Sequence, residues 1–268
     1  MNDQARDPAP DTAGVAIVTG ATGAIGSASA VRLVADGWQV ALVARDEGRV
    51  AELASRLGRR AYPFVADAVS STSLDAAFSE ITVRLGSPSA LVHAVGSTLL
   101  RPAHAVKDDE FAEVIATNLT SSFYSLRAFV RAVPRGQPAA AVYFSTAATS
   151  IGLINHETVA AAKGGVDGLV TAAAATYASR GIRVNALAPG LVRSGLTRRL
   201  IENPATLAAS ESMHPLGRVG EPEDVAGLAA FLVGPEATWI TGQIIAVDGG
   251  LSGIKLPPPA APLSSRSS

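Results

Sequence analysis

Short, uniformly apolar runs alternate with longer helix-like segments along most of the chain, and that alternation leaves few architectures open. The runs lie at residues 15–18, 39–44, 61–65, 90–94, 140–144, 183–187 and 244–247. Between them fall an alanine-rich segment ending at Ala35 and periodic segments at 47–57, 73–85, 111–133, 159–178 and 222–233. Strands so short and so apolar are buried on both faces, as in a parallel sheet sandwiched by helices. Joined by helices at this spacing, they form right-handed βαβ units. The expectation is a single α/β domain over residues 14–253, a doubly wound parallel sheet with helices on both faces. The chain has 268 residues, 48% of them hydrophobic, enough for one sizeable core. No internal repeat or second composition regime divides it.

Both ends read differently. Residues 1–13 carry Asp3, Arg6, Asp7, Pro8, Pro10 and Asp11, and residues 254–268 hold Pro257, Pro258 and Pro259 before a serine-rich tail. Both are expected to be disordered. The charged start is no signal peptide. Every apolar run elsewhere is interrupted well before the ~18 residues that a membrane span needs. With a net charge of −1 and no long basic run, nothing favours nucleic acid or an anionic membrane surface. Cysteine is absent, which excludes disulfides, thiolate metal sites and a cysteine nucleophile. No His/Asp/Glu spacing suggests a metal. A soluble, cytoplasmic protein acting on a small molecule is expected.

Thr19-Gly20-x-x-Gly23-x-x-Gly26 follows the first strand and opens a helix. A pyrophosphate needs bare backbone to approach and a helix N-terminus whose free N–H groups and dipole face it; glycine permits both. Strand before, helix after and first place in the βα series make this a dinucleotide loop of Rossmann type. Its contacts are expected from Gly20, Thr22, Gly23, Ala24, Ile25 and Gly26. About twenty residues on, the second strand ends Val43-Ala44-Arg45-Asp46. An acidic strand end would hold the ribose 2′-hydroxyl of NAD, whereas neutral Ala44 followed by Arg45 suits a 2′-phosphate. NADP(H) is favoured, with NAD(H) possible.

These residues and those that follow resemble the short-chain dehydrogenase/reductase family over nearly all of residues 15–253. The glycine motif is similar to the family's Thr-Gly-x-x-x-Gly-x-Gly, with Ala24 at the middle glycine and Gly23 before it. Val65-Ala66-Asp67-Ala68 resembles the turn whose aspartate meets adenine, which implies cofactor contacts at Asp67 and Ala68. His93-Ala94-Val95-Gly96 stands where the family has Asn-Asn-Ala-Gly, so the resemblance puts Gly96 in the cofactor cleft. Thr117-Asn118-Leu119 resembles the segment with the family's helix-distorting asparagine, which implies a catalytic-site role for Asn118. Asn185-Ala186-Leu187-Ala188-Pro189-Gly190 resembles the Asn-x-x-x-Pro-Gly that closes over nicotinamide, implying contacts from Pro189, Gly190, Val192 and Ser194. Residues 218–226 and 241–250 resemble late family signatures. Members commonly assemble as tetramers, so a homo-oligomer, dimer or homotetramer, is implied.

The family's proton chemistry uses a serine, a tyrosine and a lysine. Lys163 stands at the lysine, which implies a hold on the nicotinamide ribose. Thr146 stands at the serine, with Ser145 just before it, and either hydroxyl can orient a substrate. Val159 stands at the tyrosine, and valine has no proton to give. Lys107 and Lys255 are the only other lysines. An ammonium among Ala, Gly and Val is costly to bury unless it holds something anionic or polar. His156, seven residues before Lys163, follows the register in which the related enoyl-acyl-carrier reductases have their tyrosine. If the helix starts near Asn155, residues 156, 159 or 160, and 163 share one face over ~10 Å. Histidine can donate a proton near neutral pH. The proton is therefore expected from His156 or from water.

His93 reads as a hydrogen-bonding structural residue, and Tyr124 and Tyr143 as core. Residues 191–215 are the expected substrate lid, mixing Leu196, Leu200, Ile201, Leu207 and Met213 with Arg193, Arg198 and Arg199. Residues 160–162, Gly164, Gly165 and residues 172–175 offer small-residue faces for helix packing between subunits. The function expected is an NADP(H)-dependent oxidoreductase passing hydride between nicotinamide and a small organic substrate, a carbonyl or an activated C=C, with a modified catalytic centre. Two alternatives stand beside it: an inactive NADP-binding sensor or partner subunit, and a non-redox lyase or isomerase.

Overall fold

The computed structural model describes residues 13–255; the termini expected to be disordered lie, apart from their innermost residues, outside them. Seven parallel strands form one sheet in the order β3-β2-β1-β4-β5-β6-β7. They are β1 Val15–Thr19, β2 Gln39–Ala44, β3 Ala61–Val65, β4 Pro88–His93, β5 Ala139–Phe144, β6 Ile182–Pro189 and β7 Ile244–Val247. The helices are α1 Ala24–Ala35, α2 Glu47–Leu57, α3 Ser71–Leu85, α4 Asp108–Ile115, α5 Ser121–Ala132, α6 Glu157–Tyr177, α7 Arg198–Ile201, α8 Pro204–Met213 and α9 Pro222–Val233.

Alternate strand residues feed two apolar layers. Val15 and Ile17 of β1 join side chains of α3, α5 and α6, while Ala16 and Val18 join those of α1, α2 and α9. Burial on both faces holds for β1 and β5, whose residues are all buried. It fails at the two edges. In β3, Pro63 and Val65 are exposed, and in β7, Ile244 and Ala246 are. An edge strand is covered on one side by fewer helices, and short apolar composition alone does not reveal that position.

The run expected over 111–133 is not one helix. Between α4 and α5 lies a π turn, Ala116–Thr120. Fully buried Asn118 is the cause that fits: its Nδ2 donates to the Val114 carbonyl (2.9 Å) and also to the Ser97 carbonyl and hydroxyl (3.2 and 3.1 Å). A side chain competing for the helix's own carbonyls is a recognised way to widen a turn. Gly165, expected on an intersubunit face, instead packs within the chain: a Cβ there would stand 2.7 Å from Leu119 of that turn.

Chain order and strand order part company between β1 and β4, and such a switch point opens a crevice at the carboxyl ends of the strands. The segments after β1, β4, β5 and β6 all reach this edge. Farther along, Arg183 of β6 donates to the carbonyls of Leu232 (2.7 Å) and Gly234 (3.1 Å), satisfying the end of α9. Asn185 bridges β6 to the start of β7, donating to the Ile240 carbonyl (2.9 Å) and accepting from the Gln243 amide (3.0 Å).

Candidate functional site

The glycine loop fits against the neighbouring strand with no room for a side chain. Gly20 has φ +69°, and a Cβ on it would stand 2.6 Å from the Ala94 carbonyl oxygen; a Cβ on Gly26 would overlap the Gly20 carbonyl. Gly23 is the N-cap of α1 and supplies no side-chain cap, which leaves the first-turn amides of Ala24, Ile25 and Gly26 free for an anion. A dinucleotide pyrophosphate fits this cradle.

At the end of β2, Arg45 is exposed. The adjacent carboxylate is committed elsewhere: Asp46 caps α2, its Oδ1 accepting from the Arg49 amide (2.9 Å). Arg49 was not anticipated from sequence. One helical turn after Arg45, its Nη2 donates to the Thr22 carbonyl in the glycine loop (2.9 Å), so a second guanidinium borders the place where a ribose phosphate would lie. The signal available was the four-residue spacing of two arginines across a helix start. Asp67, half-buried after β3, accepts from the Val69 amide (3.2 Å) beside buried Ala68.

The deep end of the crevice gathers Gly96, Asn118 and Lys163. A Cβ at Gly96 would lie 3.1 Å from Asn118 Oδ1 and 3.5 Å from Lys163 Nζ. Lys163 is buried, and Nζ donates to the Phe144 carbonyl at the end of β5 (2.7 Å). Burial pushes its pKa down to about 8, with Asp167 opposing the shift. Beneath it, fully buried His93 is hydrogen-bonded to Thr19 Oγ1 through Nδ1 (2.7 Å) and to Ser121 Oγ through Nε2 (3.0 Å). Burial and then the Lys163 charge lower its pKa to about 3. It is neutral and structural, joining β1, β4 and α5.

Ser145 and Thr146 follow β5. Ser145 Oγ is buried without a hydrogen-bond partner among the described residues, and its amide donates to the Leu187 carbonyl (2.7 Å). Thr146 Oγ1 accepts from the Ala148 amide (3.3 Å), which leaves its own O–H free to donate. Val159 is buried on α6, one turn before Lys163. The helix begins at Glu157 with His156 as its N-cap, the His156 carbonyl accepting from the Ala160 amide (2.8 Å). The His156 Nδ1 pairs with the Ile154 carbonyl (2.8 Å), and Asn155 takes a left-handed φ of 64°.

The segment after β6 is tied down at both ends. Thr197 Oγ1 donates to the Val192 carbonyl (2.6 Å) and meets Ser194 Oγ at 3.0 Å, while Val192 bridges to Gly220. Of the arginines in this segment, Arg193 pairs with Glu221 (2.9 Å) and Arg198 faces Glu202 (3.9 Å). Buried His214, just past α8, accepts from the Leu191 amide through Nε2 (3.2 Å). It lines a cavity of about 440 Å³ with Gly190, Arg218 and Asp248. That cavity lies behind the loop and touches neither Lys163 nor Ser145. Among the described residues, no group of three His, Cys, Asp or Glu is placed to hold a metal, and no helix is long and apolar enough to cross a membrane.

Known proteins share this frame. A family profile described as Enoyl-(Acyl carrier protein) reductase matches residues 20–252. The chain is 33% identical over 237 residues to a 3-oxoacyl-[acyl-carrier-protein] reductase of Vibrio harveyi, covering 88% of this chain and 96% of the relative. It is 37% identical over 241 residues to a galactitol 2-dehydrogenase (L-tagatose-forming) of Cereibacter sphaeroides, covering 88% and 93%. A solved structure of a variant actinorhodin polyketide ketoreductase with NADPH superposes with a TM-score of 0.85 at 29% identity, covering 90% of this chain and 97% of the other.

Proposed function

The chain belongs to the short-chain dehydrogenase/reductase family of NAD(P)-dependent oxidoreductases, and on that premise we propose that it is an NADP(H)-dependent reductase or dehydrogenase of a small carbonyl or activated C=C compound. One observation carries this reading. Along a single crevice, bare amides and two arginines stand at one end, and a buried ammonium beside Gly96 stands at the other. The first suits a pyrophosphate and a 2′-phosphate; the second suits a nicotinamide ribose. The NADPH in the ketoreductase structure supports the same choice of cofactor.

When bound, the nicotinamide supplies or accepts the hydride. The chain's residues do the rest. Gly20 to Gly26 and Arg45, with Arg49, hold the phosphates, and Asp67 and Ala68 border the adenine. Lys163 anchors the ribose, with Asn118 fixing the backbone of Ser97 next to it. Thr146 donates a hydrogen bond to a substrate oxygen, with Ser145 behind it. Pro189, Gly190, Val192 and Ser194 close the cleft. Val159 supplies no proton, and the sequence register offers His156 or water in its place. The exposed edge of β7 and the nearly fully exposed Trp239 suit a homodimer or homotetramer.

Calorimetry with NADPH and NADH, followed by NADPH oxidation with ketones and enones, tests the reading. Binding of NADPH tighter than NADH, with turnover of one substrate class, is the expected result; no heat with either nucleotide overturns it. Val159 also favours a second reading, an NADP-binding sensor or partner subunit without turnover. A wild type that binds NADPH but stays inert, and gains turnover as Val159→Tyr, supports that second reading instead.

A further inference from the structure

We propose that Lys163 is itself the proton donor to a carbonyl substrate, a role resting on the oxidoreductase reading above. The geometry singles it out by what surrounds it. Among the described residues, its one hydrogen-bond acceptor is the Phe144 carbonyl. An ammonium carries three N–H donors, so two remain. Nζ stands over the bare backbone of Gly96, where any side chain would meet it. One turn earlier on α6 the residue is Val159, which carries no titratable group.

The other ionisable groups named for this region are each placed differently. His93 has both ring nitrogens hydrogen-bonded to hydroxyls and is neutral. The Tyr143 phenol is fully buried in the layer beneath the sheet, and burial raises its pKa further from neutrality. His214 is held by Ser210 and Leu191 behind the loop. His156 precedes the helix with its ring on Ile154. The groups facing Nζ electrostatically are Asp167, one turn further along α6, and neutral His93 from β4. A lysine desolvated in this way titrates close enough to neutrality to give up a proton and regain it.

The step balances without another reagent. As the carbonyl carbon receives hydride, one N–H bond of the ammonium breaks and an O–H bond forms on the substrate oxygen, with Thr146 donating to the same oxygen. The electron pair stays on nitrogen, and water returns the proton through the cleft.

The chain's three lysines make the test direct. Protein labelled with ¹³C at lysine Cε gives three side-chain signals, and the one missing from Lys163→Arg identifies Lys163. Its titration midpoint is expected near 8, and reductive kcat is expected to fall as pH rises through the same midpoint. Lys163→Arg keeps a cation for the ribose but does not release a proton at these pH values; its kcat should drop roughly 10²- to 10⁴-fold. Its NADPH Kd should move by less than about tenfold, the scale of one lost hydrogen bond. A His156→Ala variant that binds NADPH and loses kcat as steeply as Lys163→Arg, with a Lys163 midpoint unlinked to the kcat profile, overturns the proposal in favour of the histidine. A Lys163 midpoint above 10 in wild type overturns the proposal whether or not the arginine variant folds, as does a folded, NADPH-binding Lys163→Arg with unchanged kcat. A wild type that reduces activated C=C compounds but no carbonyl overturns this proposal alone, whereas one that binds NADPH and reduces neither refutes the broader reading as well, a failure visible before any variant is made.

Discussion

The Nε2 of His214 accepts a hydrogen bond from the backbone amide of Leu191, so the end of helix α8 is fastened to the loop that follows β6. The opposite ring nitrogen pairs with the Ser210 carbonyl (2.6 Å), which fixes the proton on Nδ1. Gly190 makes room for the ring: a Cβ there would stand 2.6 Å from Nε2. His214→Gln places an amide oxygen near Nε2, whereas His214→Asn reaches only the Nδ1 position. The asparagine variant should speed amide exchange at Leu191 and over residues 198–213 by roughly two- to tenfold, the value of one net hydrogen bond, with glutamine closer to wild type. Equal exchange in all three proteins, read by mass spectrometry, would show that this segment is held by other contacts.

Arg45 and Arg49 should divide the discrimination between nucleotides. Arg45→Ala is expected to weaken NADPH binding roughly ten- to a hundredfold, in line with a lost charge-assisted hydrogen bond, and to leave NADH nearly unchanged. Arg49→Ala should act in the same direction but also loosen the Thr22 carbonyl of the glycine loop, so NADH affinity falls too. Calorimetric titration of both variants with both nucleotides separates the two effects.

Burying Lys163 has a cost that shows in the apo-protein. Its folded pKa of about 8 lies below the ordinary 10.5. Between those values the unfolded chain binds more protons than the folded one, so stability rises with pH across that window. Below about 8 the penalty is constant, at most about 3 kcal/mol. Lys163→Met should lose this rise. Denaturant midpoints of wild type and variant at several pH values from 7 to 10.5 provide the check.

Asn118→Ala should destabilise more than an ordinary polar-to-alanine change. The amide side chain bonds Val114, Ser97 and the Ser97 amide, all around a π turn. Stranding those buried groups costs about 1–3 kcal/mol, measurable in urea. NADPH affinity should fall with it, because Gly96 and Lys163 lie against the same side chain.

At the opposite end of the scale, Arg218 holds the Asp224 carboxyl down to about 2, through hydrogen bonds of 2.6 and 2.9 Å. Its folded pKa is depressed, so this contribution is present above about 4 and disappears as pH falls toward 2. Asp224→Asn should flatten the acid limb of the stability curve by a small amount, since the pair is largely exposed.

Much of the fold was legible because periodicity records burial. The ranges 39–44, 47–57, 61–65, 222–233 and 244–247 read from the pattern coincide with β2, α2, β3, α9 and β7. What escaped was set by contacts between distant residues. The π turn depends on Asn118 reaching Ser97, and nothing in the local apolar rhythm of 111–133 reports that partner. Asn155 takes a left-handed φ just before α6 starts at Glu157, and this makes His156 the helix N-cap, a backbone detail that the apolar rhythm does not report. Arg49 and His214 were overlooked for the same reason. Each is an unremarkable helix-end residue until the chain folds it onto a loop more than twenty positions away.

Thr19 and His93 are joined by a hydrogen bond across 74 residues, and Gly20 rests on the carbonyl of Ala94 just beyond. The glycine-loop cradle therefore has one wall from each half of the sheet. Contacts this remote in sequence form late when a chain collapses. The nucleotide should accordingly do little to hasten refolding and much to slow unfolding, gaining its grip only once β1 and β4 have met.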